Sequence, residues 1–198
     1  LAAIFTAAMT ISLVPAISES RALEDFKSIR DKIRLGLRAA MIINFPCFVG
    51  LFFLAEKVAG LIYNAPGAAG AIQTMSAAIL FLGMHQISTG VLQGLEHTAV
   101  PVINMILAGV VKVALSWWLT ALPELGVKGA ALATVADFAV AAVLNMCFIY
   151  KYTGFCMTFG SVAKPLLSSG IMGGVIFVVL HFTESFGAWA ILFAMAAE

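Results

Sequence analysis

Long apolar runs separated by short polar turns repeat along this chain. Seven can be drawn, at 1–17, 40–62, 72–92, 101–122, 129–149, 165–183 and a shorter 187–197. A membrane-spanning strand needs only about ten residues and alternates polar with apolar positions, whereas a helix needs about twenty apolar residues to cross a ~30 Å hydrocarbon layer. The run lengths therefore predict an all-α fold, a polytopic transmembrane helix bundle of about six spans plus a truncated seventh.

One segment is patterned differently. From Glu19 to Arg38, the residues Leu23, Phe26, Ile29, Ile33 and Leu37 recur at three- and four-residue spacing, so one face of a helix is apolar. Charges fill the other faces, with Lys27 and Asp31 at i,i+4. Such a helix suits a membrane surface, so 19–38 is expected to be a cytoplasmic amphipathic segment lying ahead of the next span. Arg30, Arg34 and Arg38 make a one-sided row on it. Rows of this kind ordinarily meet anionic headgroups and fix orientation; the sharper alternative is a phosphate-gathering lip at the mouth of a pathway.

Composition agrees with the pattern. The chain is 62% hydrophobic and 11% charged, against roughly 45–50% and 25% for soluble domains, so lipid is its main solvent. A formal net charge of +1 provides no global field for nucleic acid, and no nucleic-acid partner is expected. The distribution of charge says more. Arg21, Lys27, Arg30, Lys32, Arg34 and Arg38 follow the first run, and Lys151 and Lys164 fall on the same side when the spans are counted. Positive-inside bias then puts 18–38, 93–100 and 150–164 in the cytoplasm, with the turns 63–71, 123–128 and 184–186 outside. Tyr63 and Trp117–Trp118 would lie toward the outer interface and Tyr150 and Tyr152 toward the inner one. Cys47, Cys147 and Cys156 show no paired spacing, so neither a disulfide framework nor a zinc site is expected. The chain starts inside an apolar run at Leu1 and its last run is about half a span, so it reads as a piece of a longer protein.

The polar groups inside the runs are the candidate chemistry. Lys112 is eleven residues beyond Pro101, so about 16 Å deep and near the midplane. A charge there costs roughly 2.5–3.5 kcal/mol on insertion scales and should face a cavity or a partner. Asp137, on the next run, comes to a comparable depth counted from the other side. The two either neutralise each other and fix helix packing, or Lys112 faces water and binds an anionic substrate group, with Asp137 as counter-ion or cation site. A second cluster lies on 72–92, where His85, Thr89 and Gln93 share one helix face at i, i+4 and i+8, with Gln86 beside them. These could line a cavity wall, though hydrogen bonding between helices is the simpler account; the same holds for Asn104 and Asn145. Pro46 predicts a kink. No P-loop, GxGxxG or HExxH occurs and the loops are too short for a catalytic domain, so an enzyme is not expected. No cofactor or metal is implied, and a coupling cation stays unidentified.

Several short motifs stand in order. Ser12-Leu13-Val14-Pro15-Ala16-Ile17-Ser18 closes a span, Leu92-Gln93-Gly94-Leu95 forms a turn, and Pro101, Gly109 and Lys112 share the next helix. Gly126 to Thr134 opens the one after, and Lys164-Pro165 starts the following span. In these the chain resembles the multidrug/oligosaccharidyl-lipid/polysaccharide exporter superfamily, and within it the polysaccharide-biosynthesis and stage V sporulation protein B branch. The resemblance covers nearly the whole chain, as the eighth span to the start of the fourteenth. It implies one lobe of a two-lobe transporter working by alternating access. Its partners would be the bilayer, a lipid-linked anionic substrate and the N-terminal lobe of the same chain. Glu96 and His97 depart from the glycine and basic residue expected after Leu95. The expected function is flipping of a lipid-linked saccharide or peptidoglycan precursor, with Lys112 as the leading headgroup contact. The alternatives are a cation-coupled drug exporter using Asp137, or a scaffold for envelope synthesis that transports nothing.

Overall fold

A computed structural model describes residues 2–62, 64–122, 125–156, 165–176 and 178. The expected run 187–197, the turn 184–186, the end of 165–183, Tyr63 and Lys164 lie outside the described residues. Those described form helices α1 (Ala2–Ala22), α2 (Phe26–Leu61), α3 (Ala69–Ser76), α4 (Ala78–Gly94), α5 (Ala99–Thr120) and α6 (Gly126–Thr153). A shorter apolar helix, α7, covers Pro165–Ile176. A 3-10 turn at Pro66–Ala68 precedes α3. Among the described residues five spans are long and apolar enough to cross a membrane, with α3 and α4 together making one of them. The all-α bundle read from the apolar runs is the observed architecture, that of an integral multi-pass membrane protein.

Two boundaries differ from the sequence pattern. The amphipathic segment is not a separate surface helix. From Phe26 it is continuous with the following span as the 36-residue α2, while 19–22 end α1; at 1.5 Å per residue α2 is about 54 Å long, so about 24 Å, over two-fifths, stands clear of a ~30 Å core. Asp25 starts it, its carboxylate accepting the Ser28 amide at 2.9 Å. The apolar stripe Ile29, Ile33 and Leu37 is at most 3% exposed and packs with Ile17, Ile87, Val91, Leu92 and Ile149. Burial against the bundle, not lipid, is what that stripe serves; Leu23 and Phe26, its first two members, stay exposed.

The second difference is a break at Ala77 inside the run 72–92. Thr74 Oγ1 donates to the Gly70 carbonyl at 2.8 Å and Ser76 Oγ to the Gln73 carbonyl at 2.6 Å. Hydroxyls that bond back to carbonyls three and four residues earlier compete with the backbone ladder and bend helices.

The layers run α2 and α1, then α4, then α6, with α5 outermost against α6. In lipid no hydrophobic effect presses helices together, so close packing of small residues does much of the work. On α4, Gly90 and Gly94 supply that contact to α1: a Cβ on Gly94 would stand 2.8 Å from the Val14 carbonyl oxygen and from Ile17 Cβ. Gly109 on α5, by contrast, faces open space.

These contacts set the first expected outcome. Gly94→Ala should destabilise by about 1–3 kcal/mol through overpacking, whereas Gly109→Ala should be neutral or stabilise by up to about 1 kcal/mol by gaining helix propensity. Thermal unfolding midpoints of the two variants in one detergent compare them directly.

Candidate functional site

At one end of the bundle the basic segment of α2 passes the C-terminal ends of α1 and α6. Lys32 donates to the Ala16 carbonyl at 2.7 Å and to Ser20 Oγ at 2.6 Å. Arg30 reaches the Thr153 carbonyl at 3.4 Å, on the last residue of α6. The Thr153 carbonyl is terminal, at the negative end of the α6 dipole, so a cation belongs there, whereas Lys32 meets α1 six residues before its end. The turn after α4 joins the same end. Glu96, held at φ 63, pairs with Arg21 at 3.4 Å, and the His97 ring stacks on Tyr152 with centroids 3.9 Å apart. Thus 18–38, 93–100 and the start of 150–164 share one end, as the charge distribution requires of a cytoplasmic face. The two residues that depart from the expected motif each have a structural partner.

The arginine row is divided by its surroundings. Arg30 serves the end of α6, and Arg34 pairs with Asp31 at 3.2 Å on the exposed surface. Arg38 has no hydrogen bond or ion pair among the described residues and lines a cavity with Ile42, Pro46, Pro165, Ser168 and Ser169.

The polar face of α4 is divided too. Gln86 Oε1 accepts from Thr6 Oγ1 on α1. His85 and Thr89 turn toward α6, where the buried Asn145 Nδ2 lies 3.2 Å from Thr89 Oγ1, 3.2 Å from Ser88 Oγ and 3.4 Å from His85 Nδ1. Asn145 Oδ1 in turn accepts from Asn104 Nδ2 at 2.9 Å. Asn145 thereby ties α4, α5 and α6 together. Gln93 is exposed and makes no side-chain hydrogen bond among the described residues. Ser88 was not singled out by the periodicity, although it stands three residues after His85 and hydroxyls commonly hydrogen-bond between membrane helices.

Further along α5, Lys112 Nζ lies 3.4 Å from Asp137 Oδ2 on α6, with the lysine side chain 40% exposed and the aspartate 18%. The pair reached from depth counting alone is therefore formed. Its carboxylate sits inward and its ammonium toward the open side. An ammonium has three donors, and no second partner for Lys112 occurs among the described residues. His85 is near: its ring centroid is 6.4 Å from that of Phe138, beside Asp137. Among the described residues no three His, Cys, Asp or Glu side chains gather as a metal site would need.

The register that brings Lys112 to Asp137 does not rest on their charges. Eight residues from Asn104 to Lys112 on α5 are matched by eight back from Asn145 to Asp137 on α6, a rise of about 12 Å. One further turn-pair along, a Cβ on Gly129 would stand 2.7 Å from the Leu119 carbonyl, so the backbones there are in near contact. Three contacts at three heights hold the two helices antiparallel.

Comparison with known proteins gives a consistent picture. The family model described as lipid II flippase MurJ matches residues 1–197. An uncharacterized membrane protein, YabM, of Bacillus subtilis (strain 168) is 30% identical over 98% of this chain and 35% of its own length. Stage V sporulation protein B of the same organism is 27% identical over 74% of this chain and 28% of its own. A probable low-salt glycan biosynthesis flippase, Agl15, of Haloferax volcanii is 22% identical over 88% of this chain and 37% of its own. The chain thus spans about a third of the length of these relatives. No solved structure matches.

The Asn104–Asn145 bond should be measurable by a double-mutant cycle. Coupling between Asn104→Ala and Asn145→Ala is expected at about 0.6–1.7 kcal/mol, the range found for hydrogen bonds between membrane helices. Because Asn145 also serves α4, Asn145→Ala alone should cost more than Asn104→Ala in the same unfolding assay.

Proposed function

The chain belongs to the lipid II flippase MurJ family, and on that premise we propose that it is a membrane lobe of a transporter flipping a lipid-linked saccharide or peptidoglycan precursor by alternating access. The lobe that completes the cavity is supplied by the rest of a longer chain. No catalytic step is required of these residues; the work is binding, charge balance and a change of shape.

The observation that carries this reading is the Lys112–Asp137 pair, with its ammonium half-exposed in an otherwise apolar helix. A lipid-linked saccharide presents a phosphate ester to the protein and keeps its apolar tail in the bilayer. Inside a membrane a lysine is costly unless neutralised. Asp137 neutralises it while the site is empty, and a substrate phosphate takes over part of that task on arrival. The carboxylate then remains within reach, so the ammonium is never left alone as the cavity changes its opening. His85, Thr89 and Gln86 stand behind this pair as the wall that fixes α4 against α6 and α1. Their role is positional.

The test is made in the full-length transporter by flipping of a fluorescent lipid-linked precursor in proteoliposomes, with expression measured alongside. Lys112→Ala should reduce the rate at least ten-fold, and Lys112→Arg should recover part of it. Because the Asn104–Asn145 bond and the Gly129 contact hold the α5–α6 register independently, Lys112→Ala should remain folded. The exchange Lys112→Asp with Asp137→Lys separates roles: full recovery of transport would make the pair purely structural, whereas the flippase reading expects the exchanged protein to stay impaired. A silent Lys112→Ala would remove Lys112 from the transport site.

A further inference from the structure

The one arginine of the row left without a partner among the described residues does not point to Lys112. It lies on the other flank of the bundle, since α2 packs against α1, α3 and α4 while α5 packs against α6. There Arg38 lines a cavity of about 190 Å³ between α2 and α7, with Ile42 and Pro46 on one wall and Pro165, Ser168 and Ser169 on the other. Two observations about this cavity converge on one chemistry.

First, Arg38 offers five N–H donors in a planar fork that suits the oxygens of a phosphate, and none is used by a protein group among the described residues. Second, Ser169 is 2% exposed and its Oγ has no hydrogen-bond partner. A buried hydroxyl without a partner is costly, and this one lines the same cavity as the free guanidinium. A cation and an unsatisfied buried hydroxyl line one space, and no acidic side chain lines it among the described residues. Arg38 and Ser168 are exposed, so the cavity opens to the surface and a ligand can reach the guanidinium and the buried hydroxyl together.

We propose that Arg38, Ser168 and Ser169 form a phosphate-binding subsite between α2 and α7, distinct from the Lys112–Asp137 pair, which takes the phosphate ester of a lipid headgroup. Its position fits this ligand. Arg38 follows the basic segment of α2 and Pro165 follows the loop 150–164, both at the end of the bundle where Lys32, Arg21 and Arg30 gather. Ile42 and Pro46 continue the cavity into the apolar part of α2, along which an acyl or isoprenoid chain would run. The phosphate would bridge α2 to α7, so occupancy would stiffen the junction between the two.

The experiment uses the purified full-length transporter in a zwitterionic detergent and reads the thermal unfolding midpoint as each probe is titrated. The probes are phosphatidylglycerol, inorganic phosphate and, as a control without a phosphate, diacylglycerol. Phosphatidylglycerol should raise the midpoint of the wild type and diacylglycerol should not. Arg38→Ala should weaken the apparent affinity roughly ten-fold or more, as expected for losing a charge-assisted contact, with Arg38→Lys intermediate. Ser169→Ala should raise the midpoint of the unliganded protein, because it removes the unsatisfied hydroxyl, and should shrink the shift produced by lipid. Protection by phosphatidylglycerol alone assigns the site to a membrane lipid; protection by inorganic phosphate as well assigns it to the phosphate group itself. Either result supports the subsite. Equal protection of wild type, Arg38→Ala and Ser169→Ala, or no protection by either phosphate probe, would overturn it. None of these readings depends on Lys112, so this proposal and the flippase reading can fail separately.

Discussion

The register of α5 on α6 is the constraint on which the candidate site depends. A lysine near the middle of an apolar helix is tolerable only if its counter-charge arrives at the same height, and height here is set by packing rather than by attraction. The Asn104–Asn145 bond fixes one level, and the near contact of Gly129 with the Leu119 backbone fixes another. Lys112 and Asp137 fall between them in step. A slip of one residue would rotate each side chain by about 100° on its helix and would separate the asparagines and the ion pair together. The buried amide pair thus does more than join two helices: it makes the ionic pair geometrically available without asking the ions to hold the fold.

The same logic applies at the basic end. Among the described residues α1, α4 and α6 finish there and α2 and α5 begin. From α2, Arg30 donates to the last carbonyl of α6 and Lys32 to the Ala16 carbonyl and Ser20 Oγ of α1. Positive charge on that side is usually read as a signal for orientation. In this protein part of it is also consumed as structural capping, which explains why the arginines of one helical row are unlike one another. Position on a row fixes which face a residue occupies; what lies opposite that face changes every turn.

Much of this was legible in the sequence and some was not, for identifiable reasons. Run length gave the helices, because crossing a bilayer sets a length and lipid forbids open strand edges. Counting residues inward brought Lys112 and Asp137 to matching depth, because helix rise is nearly constant. The continuity of α2 was hidden because the change from amphipathic to wholly apolar at Arg38 looks like a boundary. No helix breaker stands at that point, and Gly36, two residues earlier, packs against Leu13 and Ile87. The break at Ala77 was equally hidden, since it arises from hydroxyls of Thr74 and Ser76 that carry no distinctive pattern. The division of His85, Gln86, Thr89 and Gln93 among α6, α1 and the surface follows from neighbours that periodicity does not identify.

The structure also separates two ways of holding a positive charge in one membrane protein. Lys112 is neutralised in advance by Asp137, so a phosphate must compete with a carboxylate to reach it, and what it gains on binding is partly offset by what the pair gives up. That suits a ligand which has to leave again. Arg38 has no such competitor, and the hydroxyl beside it is unsatisfied, so a phosphate there gains contacts without displacing any. That suits a ligand which stays. On the two proposed readings, the pair within α5 and α6 would act as a transit site and the cavity between α2 and α7 as a resident one, a distinction drawn from which partners each cation already has.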